Sequence, residues 1–159
     1  MLGGYKLANI LVTVGTTSFD RLIKQVIDTI DCDHNYIFQV SENSEFNNYG
    51  NDFFAYSEDF SKKVSWADVI ITHAGAGSVY DFLEKRKKII VVPNLERVDK
   101  HQSELSNYVE VNNLALCGCA YSSDFSSLIR SSIETDFSEY KKVGFFYLDE
   151  LYSILGGSK

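Results

Sequence analysis

The chain reads as an α/β protein: a Rossmann-like parallel sheet with helices on both faces. Three observations predict it. Short apolar runs alternate with stretches of helical spacing along most of the 159 residues. Most of the runs are apolar at every position, as strands buried on both faces require. Between Val69-Ile70-Ile71-Thr72 and a helical stretch lies His73-Ala74-Gly75-Ala76-Gly77-Ser78, the strand–glycine turn–helix junction typical of phosphate-binding folds.

Asn9–Val14 is a near-continuous apolar run closed by Gly15, the first strand. Leu22, Ile23, Val26, Ile27 and Ile30 then recur at helical spacing, so 18–30 reads as helix. Tyr36–Val40 is the second strand and Phe53–Tyr56 a short third one, after a polar, Asn-rich loop at 41–52. Asp59–Trp66 is compatible with a helix, and Val69–Thr72 is the fourth strand. Helix is expected over Ser78–Lys85, strand over Ile89–Val92 up to Pro93, and helix over Lys100–Val111. Ala115–Ala120 is a weaker sixth strand. Phe125–Ile133 and Ser138–Leu155 complete the series as helices, and both chain ends, 1–6 and 156–159, look unstructured. One domain is expected over 1–159, with its core at about 8–134.

Composition narrows the function. A net charge of −7 disfavours nucleic acid and polybasic membrane anchoring. Hydrophobic residues at 45% and charged ones at 23% are ordinary for a soluble domain. Cys32, Cys117 and Cys119 are odd in number and form no C-x-x-C pair, which suggests reduced thiols in a cytoplasmic protein. No apolar run has the length of a membrane span. His34, His73 and His101 stand at no metal-ligand spacing, and no metal is expected.

Ligands of such sheets bind at the carboxyl ends of the strands. Three loops fall there: Gly15-Thr16-Thr17-Ser18, His73–Ser78 and Asn94–Gln102. The first lacks both the Walker lysine and the G-x-G-x-x-G fingerprint, which excludes a P-loop and disfavours a dehydrogenase, even with Glu42 as a possible ribose acid. Taken alone, it serves equally as a helix cap through Thr17 or Ser18. The second is more specific. Gly77 and Ser78 offer N–H and O–H donors to a diphosphate, and Asp81 lies where a carboxylate can accept from ribose hydroxyls. At the third, His101 and Gln102 open a helix and can hydrogen-bond the sugar end of a ligand, with Asp99 as an alternative plain cap. No nucleophile elbow is present, because Gly75-Ala76-Gly77-Ser78-Val79 has the wrong register.

Ile10–Asp20, Trp66–Ser78, Val91-Val92-Pro93 and His101-Gln102 together resemble the C-terminal domain of glycosyltransferase family 28. The likeness is greatest to its small stand-alone donor-binding members. These are the catalytic subunit of the eukaryotic dolichol-linked UDP-N-acetylglucosamine transferase and bacterial PssE-type polysaccharide glycosyltransferases. The resemblance implies the donor-binding half of a GT-B glycosyltransferase, inverting and metal-free. It places the donor against Gly15, Thr16, Thr17, His73, Gly75, Ala76, Gly77, Ser78, Asp81, His101 and Gln102. It further implies a membrane-anchored acceptor-binding subunit and a lipid-linked saccharide acceptor, with this chain held at the inner face of the membrane by its partner. Arg21, Arg97 and Lys100 are the basic residues near the loops. The catalytic base stays unassigned, His73 and Asp20 being open alternatives.

Two departures are visible. The family's frequent Gly-Lys-Pro turn is replaced by Arg86-Lys87-Lys88, and its acid before the His-Gln pair by Lys100. Composition favours the bacterial branch, with a hexose donor for capsule or exopolysaccharide. The alternatives are N-acetylglucosamine transfer in the dolichol pathway and a non-catalytic nucleotide-binding module; an epimerase would need both GT-B halves in one chain. The apolar surplus of 138–155 suggests a partner-docking helix, and packing on its own domain is the equal alternative.

Overall fold

The computed structural model describes residues 7–96 and 101–142. Its strands and helices alternate as β1 (Asn9–Thr13), α1 (Asp20–Thr29), β2 (Asn35–Gln39), β3 (Phe53–Phe54), α2 (Phe60–Trp66), β4 (Val69–His73), α3 (Ala76–Glu84), β5 (Lys88–Val92), α4 (His101–Val111), β6 (Leu116–Cys117) and α5 (Phe125–Glu134). The six strands form one sheet in the order β3-β2-β1-β4-β5-β6, and every pairing is parallel. This is the doubly wound arrangement predicted.

Alternation along the strands builds two cores. Ile10 and Val12 of β1, Val69 and Ile71 of β4, and Ile90 and Val92 of β5 face Leu22, Ile23 and Val26 of α1 and Phe125 and Ile129 of α5. Leu11, Ile70, Ile89 and Val91 point the other way, onto Val64 of α2, Val79, Phe82 and Leu83 of α3, and Leu105 and Val109 of α4. The chain moves outward from β1 in one direction and from β4 in the other, so the switch point of the sheet lies between these two strands.

Both turns that end α3 and α4 are Schellman motifs. After α3, Lys87 N–H donates to Phe82 O and Arg86 N–H to Leu83 O, with Arg86 at φ +55°. After α4, Leu114 N–H donates to Val109 O and Asn113 N–H to Glu110 O, with Asn113 at φ +51°. Lys87 Nζ then caps the end of α2 through Ser65 O and Ala67 O, while Lys88 Nζ caps that of α5 through Ile133 O and Thr135 O. Burial of the Lys87 side chain pulls its pKa below the ordinary lysine value.

Four expectations need correction. α3 begins at Ala76, because Gly75 is its N-cap, two residues before the expected start. β3 ends at Phe54, where the edge of the sheet offers only a two-residue pairing with Phe38 and Gln39. β6 shrinks to Leu116–Cys117, since Cys119 turns the chain by accepting from Ser122 N and Ser123 N. Residues 138–142 are not helical. Ser138 N–H donates to Asn113 O, Glu139 pairs with Arg86, and Lys142 pairs with Glu84, so the segment runs as a strap over the ends of α3 and α4. The rest of the expected 138–155 helix, the two unstructured ends, and Arg97, Asp99 and Lys100 lie outside the described residues.

Candidate functional site

β1 and β4 are neighbours, so the loops leaving their carboxyl ends stand side by side. After β1 the chain turns at Gly15, φ +68°, a left-handed conformation that glycine adopts without a side-chain clash. Gln39, the last residue of β2, locks this turn. Its Oε1 accepts from Gly15 N at 2.9 Å and from Thr13 Oγ1 at 2.6 Å. Its Nε2 donates to Gly15 O at 2.9 Å, Val40 O at 2.9 Å and Ala55 O at 3.3 Å. Gln39 is buried, and its carboxamide joins the ends of β1, β2 and β3. Thr16, Thr17 and Ser18 are left exposed beyond it. The N-cap of α1 is the buried Phe19, with no side-chain cap bond, so neither Thr17 nor Ser18 serves as the cap.

After β4, Ala74 N–H bonds Val92 O and Gly75 caps α3 by backbone alone. The first intrahelical bond runs from Val79 N to Gly75 O, so the N–H groups of Ala76, Gly77 and Ser78 have no acceptor within the helix. Ala76 and Gly77 are exposed, and a Cβ built on Gly77 would meet nothing within 4 Å. The start of α3 is therefore an open, partly positive surface with room for an anion.

The imidazole of His73 fills the space between the two loops. A Cβ on Gly15 would stand 3.1 Å from its Cε1, and one on Gly75 would stand 2.3 Å from its Nε2. A side chain at Gly75 could therefore enter only if the ring moved, whereas at Gly15 the ring would have to give by little.

The remaining predicted residues divide. Asp81 is on the exposed side of α3, its carboxylate 2.5 Å from Lys85 Nζ. Asp20, an open alternative for the base, is occupied: it accepts from Ser44 Oγ at 2.5 Å and Glu45 N at 3.1 Å, anchoring the β2–β3 loop. Glu42 is exposed in that loop. His101 is exposed, with Nδ1 3.4 Å from Glu104 Oε2. Gln102 is buried, and its Oε1 accepts from Asn94 N at 2.9 Å, so its carboxamide folds back on the β5–α4 loop.

Arg21, in the first turn of α1, lays its guanidinium 4.9 Å from the ring centre of Tyr121 in the β6–α5 loop. Tyr121 Oη donates to Glu96 Oε1 at 2.9 Å, a bond that raises its pKa. Beside it, the Cys119 thiol is held below the ordinary range, chiefly by a hydrogen bond with the Ser122 side chain. The sequence reading missed Gln39, Glu96 and Tyr121. Gln39 had a signal, a polar residue among the apolar positions of Tyr36–Val40; the other two had none.

Two surface hollows of about 320 and 310 Å³ lie at the opposite, amino edge of the sheet and share Arg86, Lys87 and Lys88. The two lysines there are spent on helix carbonyls, so these hollows offer less to an anion than the start of α3 does. Among the described residues no helix is long and apolar enough to cross a membrane, and no cluster of three or more His, Cys, Asp or Glu has the makings of a metal site.

The chain is similar to known proteins over this same region. It is 32% identical over 123 residues to the UDP-N-acetylglucosamine transferase subunit ALG13 of Mus musculus, covering 68% of this chain and 10% of that protein. It thus spans about a tenth of the length of that relative. Among solved structures, the crystal structure of Acinetobacter baumannii MurG superposes with a TM-score of 0.62 at 19% identity, covering 84% of this chain and 46% of that one. The solution structure of ALG13 superposes with a TM-score of 0.57 at 19% identity, covering 91% and 94%. These likenesses identify the fold as the C-terminal half of a GT-B glycosyltransferase. Residues 9–141 match the glycosyltransferase family 28 C-terminal domain, and the chain belongs to that family.

Proposed function

We propose that this chain is the donor-binding part of a two-component glycosyltransferase, that its donor is UDP-N-acetylglucosamine, and that its acceptor is a polyprenyl-diphosphate-linked saccharide such as a dolichol-linked one. The observation that carries the reading is the start of α3 at the β1/β4 switch point: three N–H groups without intrahelical acceptors, on an exposed surface with no side-chain cap. In this reading the donor diphosphate lies against Gly75, Ala76, Gly77 and Ser78 and faces Gly15, Thr16 and Thr17 across His73. Asp81 accepts from the ribose; its ion pair with Lys85 is half-exposed and weak enough to yield to a ligand. Gln102, its Oε1 held by Asn94 N, offers only its Nε2 to the sugar, and the exposed His101 stands beside it.

The choice of sugar follows the relatives. The expectation of a hexose for capsule or exopolysaccharide gives way to N-acetylglucosamine, the donor for which the mouse relative is named. The leaving diphosphate develops charge next to the N-termini of α3 and α1, whose dipoles stabilise it without a metal, and transfer inverts the anomeric centre. A membrane-anchored partner supplies the acceptor side and the base, and holds this chain at the cytoplasmic membrane surface.

The test is a titration of the purified chain with UDP, UDP-glucose, UDP-galactose and UDP-N-acetylglucosamine, followed by amide shifts. Saturable binding, tightest for UDP-N-acetylglucosamine and lost in Asp81→Ala, supports the reading. Tighter binding of UDP-glucose or UDP-galactose would restore the hexose alternative. No binding in the presence of the reconstituted partner would sink the donor role.

A further inference from the structure

Between β5 and α4 the chain must present Gln102 in one orientation, and in the described stretch Asn94–Glu96 apolar packing contributes little. Leu95, its one large apolar residue among the described positions, is 59% exposed. A run of polar ties takes its place. Gln102 Oε1 accepts from Asn94 N at 2.9 Å, Asn94 Oδ1 accepts from Glu96 N at 3.1 Å, and Glu96 Oε1 accepts from Tyr121 Oη at 2.9 Å. The Tyr121 ring in turn carries the Arg21 guanidinium at 4.9 Å.

We propose that Tyr121 is a positioning residue: through Glu96 and Asn94 it fixes the orientation of Gln102, and through Arg21 it ties that orientation to the helix that follows the Gly15 loop. The inference rests on the donor reading above, in which Gln102 meets the sugar. Tyr121 and Glu96 are both exposed, so their bond adds little to the stability of the fold. Its effect is on geometry. Losing it frees Glu96 and, through it, the Asn94 side chain to shift, with the Gln102 carboxamide following. The diphosphate surface at Gly75–Ser78 belongs to a different loop and is left intact.

That separation makes the idea testable in the full chain, with UDP and UDP-N-acetylglucosamine as probes. Gln102→Ala first defines how much of the affinity depends on the sugar. Tyr121→Phe keeps the ring under Arg21 and removes only the hydroxyl. It should leave the Kd for UDP within about twofold and raise that for UDP-N-acetylglucosamine about fivefold, the effect of one hydrogen bond. Glu96→Ala should match it, the double variant should be no worse than either single one, and Glu96→Gln, which still accepts from the phenol, should bind like wild type. Unchanged UDP-N-acetylglucosamine binding in Tyr121→Phe, or equal weakening of both ligands, overturns the proposal while the donor reading stands. A wild-type chain that binds UDP but does not distinguish the two ligands removes the sugar contact, and the proposal with it. A wild-type chain that binds neither overturns the donor reading itself.

Discussion

A methyl group placed on Gly75 would stand 2.3 Å from Nε2 of His73, so the histidine ring occupies the volume that a side chain at position 75 would need. Gly75 has an ordinary extended backbone, φ −82° and ψ 120°, and its requirement is steric alone. Gly75→Ala should destabilise the fold by about 1–3 kcal/mol, as overpacking does. Removing the ring in Gly75→Ala/His73→Ala should recover most of that in denaturant melts. Gly15 behaves differently. Its positive φ persists without the ring, so Gly15→Ala should retain a cost of about 1 kcal/mol even beside His73→Ala.

Arg86 holds the left-handed position of the Schellman turn after α3, where glycine carries no strain. Arg86→Gly should raise stability by roughly 0.5–1 kcal/mol, read as a higher denaturant midpoint at unchanged slope. The ion pair with Glu139 that the change gives up is largely exposed and weighs little against it. A lower midpoint would show that the strap contact outweighs the backbone term.

Gln39 makes five hydrogen bonds from a buried position. Gln39→Leu keeps the volume but strands the N–H of Gly15 and the carbonyls of Gly15 and Val40. We expect a loss of about 2–4 kcal/mol and faster hydrogen exchange at the Gly15 amide than elsewhere in the sheet. Uniformly faster exchange would mean that Gln39 supports the whole sheet and not this turn.

The cysteines give a pH-dependent readout. Burial pushes the Cys117 thiol up to about 12, whereas the hydrogen bond with the Ser122 side chain lowers that of Cys119. A lower pKa means more thiolate at a given pH, and the thiolate is the nucleophile. At about pH 8, iodoacetamide should therefore label Cys119 well before Cys117, and Ser122→Ala should slow Cys119 while leaving Cys117 unchanged. Mass spectrometry of the labelled chain distinguishes the sites.

Much of the sheet was legible because its strands are apolar on both faces, and Val69–Ile71 or Ile89–Val92 have no other place to go. Boundaries were less so. A glycine says that the chain can turn, not on which side of it the helix begins, hence the late start assigned to α3. Spacing alone also carried a helix across 138–142, where pairing of Glu139 and Lys142 with residues 53 and 58 positions earlier keeps the chain extended. At the site, glycines, hydroxyls and the His-Gln pair were visible as a pattern. The Arg21–Tyr121 and Tyr121–Glu96 contacts join side chains 100 and 25 residues apart, the inward fold of Gln102 depends on one rotamer, and no local pattern encodes them.

Lys87 and Lys88 are adjacent, yet one ends a helix on the front of the sheet and the other a helix on the back. A single dipeptide at the mouth of a central strand therefore acts as a rivet through three layers. It fastens the pole of the molecule farthest from the glycine turns. Cutting both rivets should let the outer layers slip against the sheet long before the glycine loops lose their shape, so that wear on this protein would show first in its hinge pins and only later in its jaws.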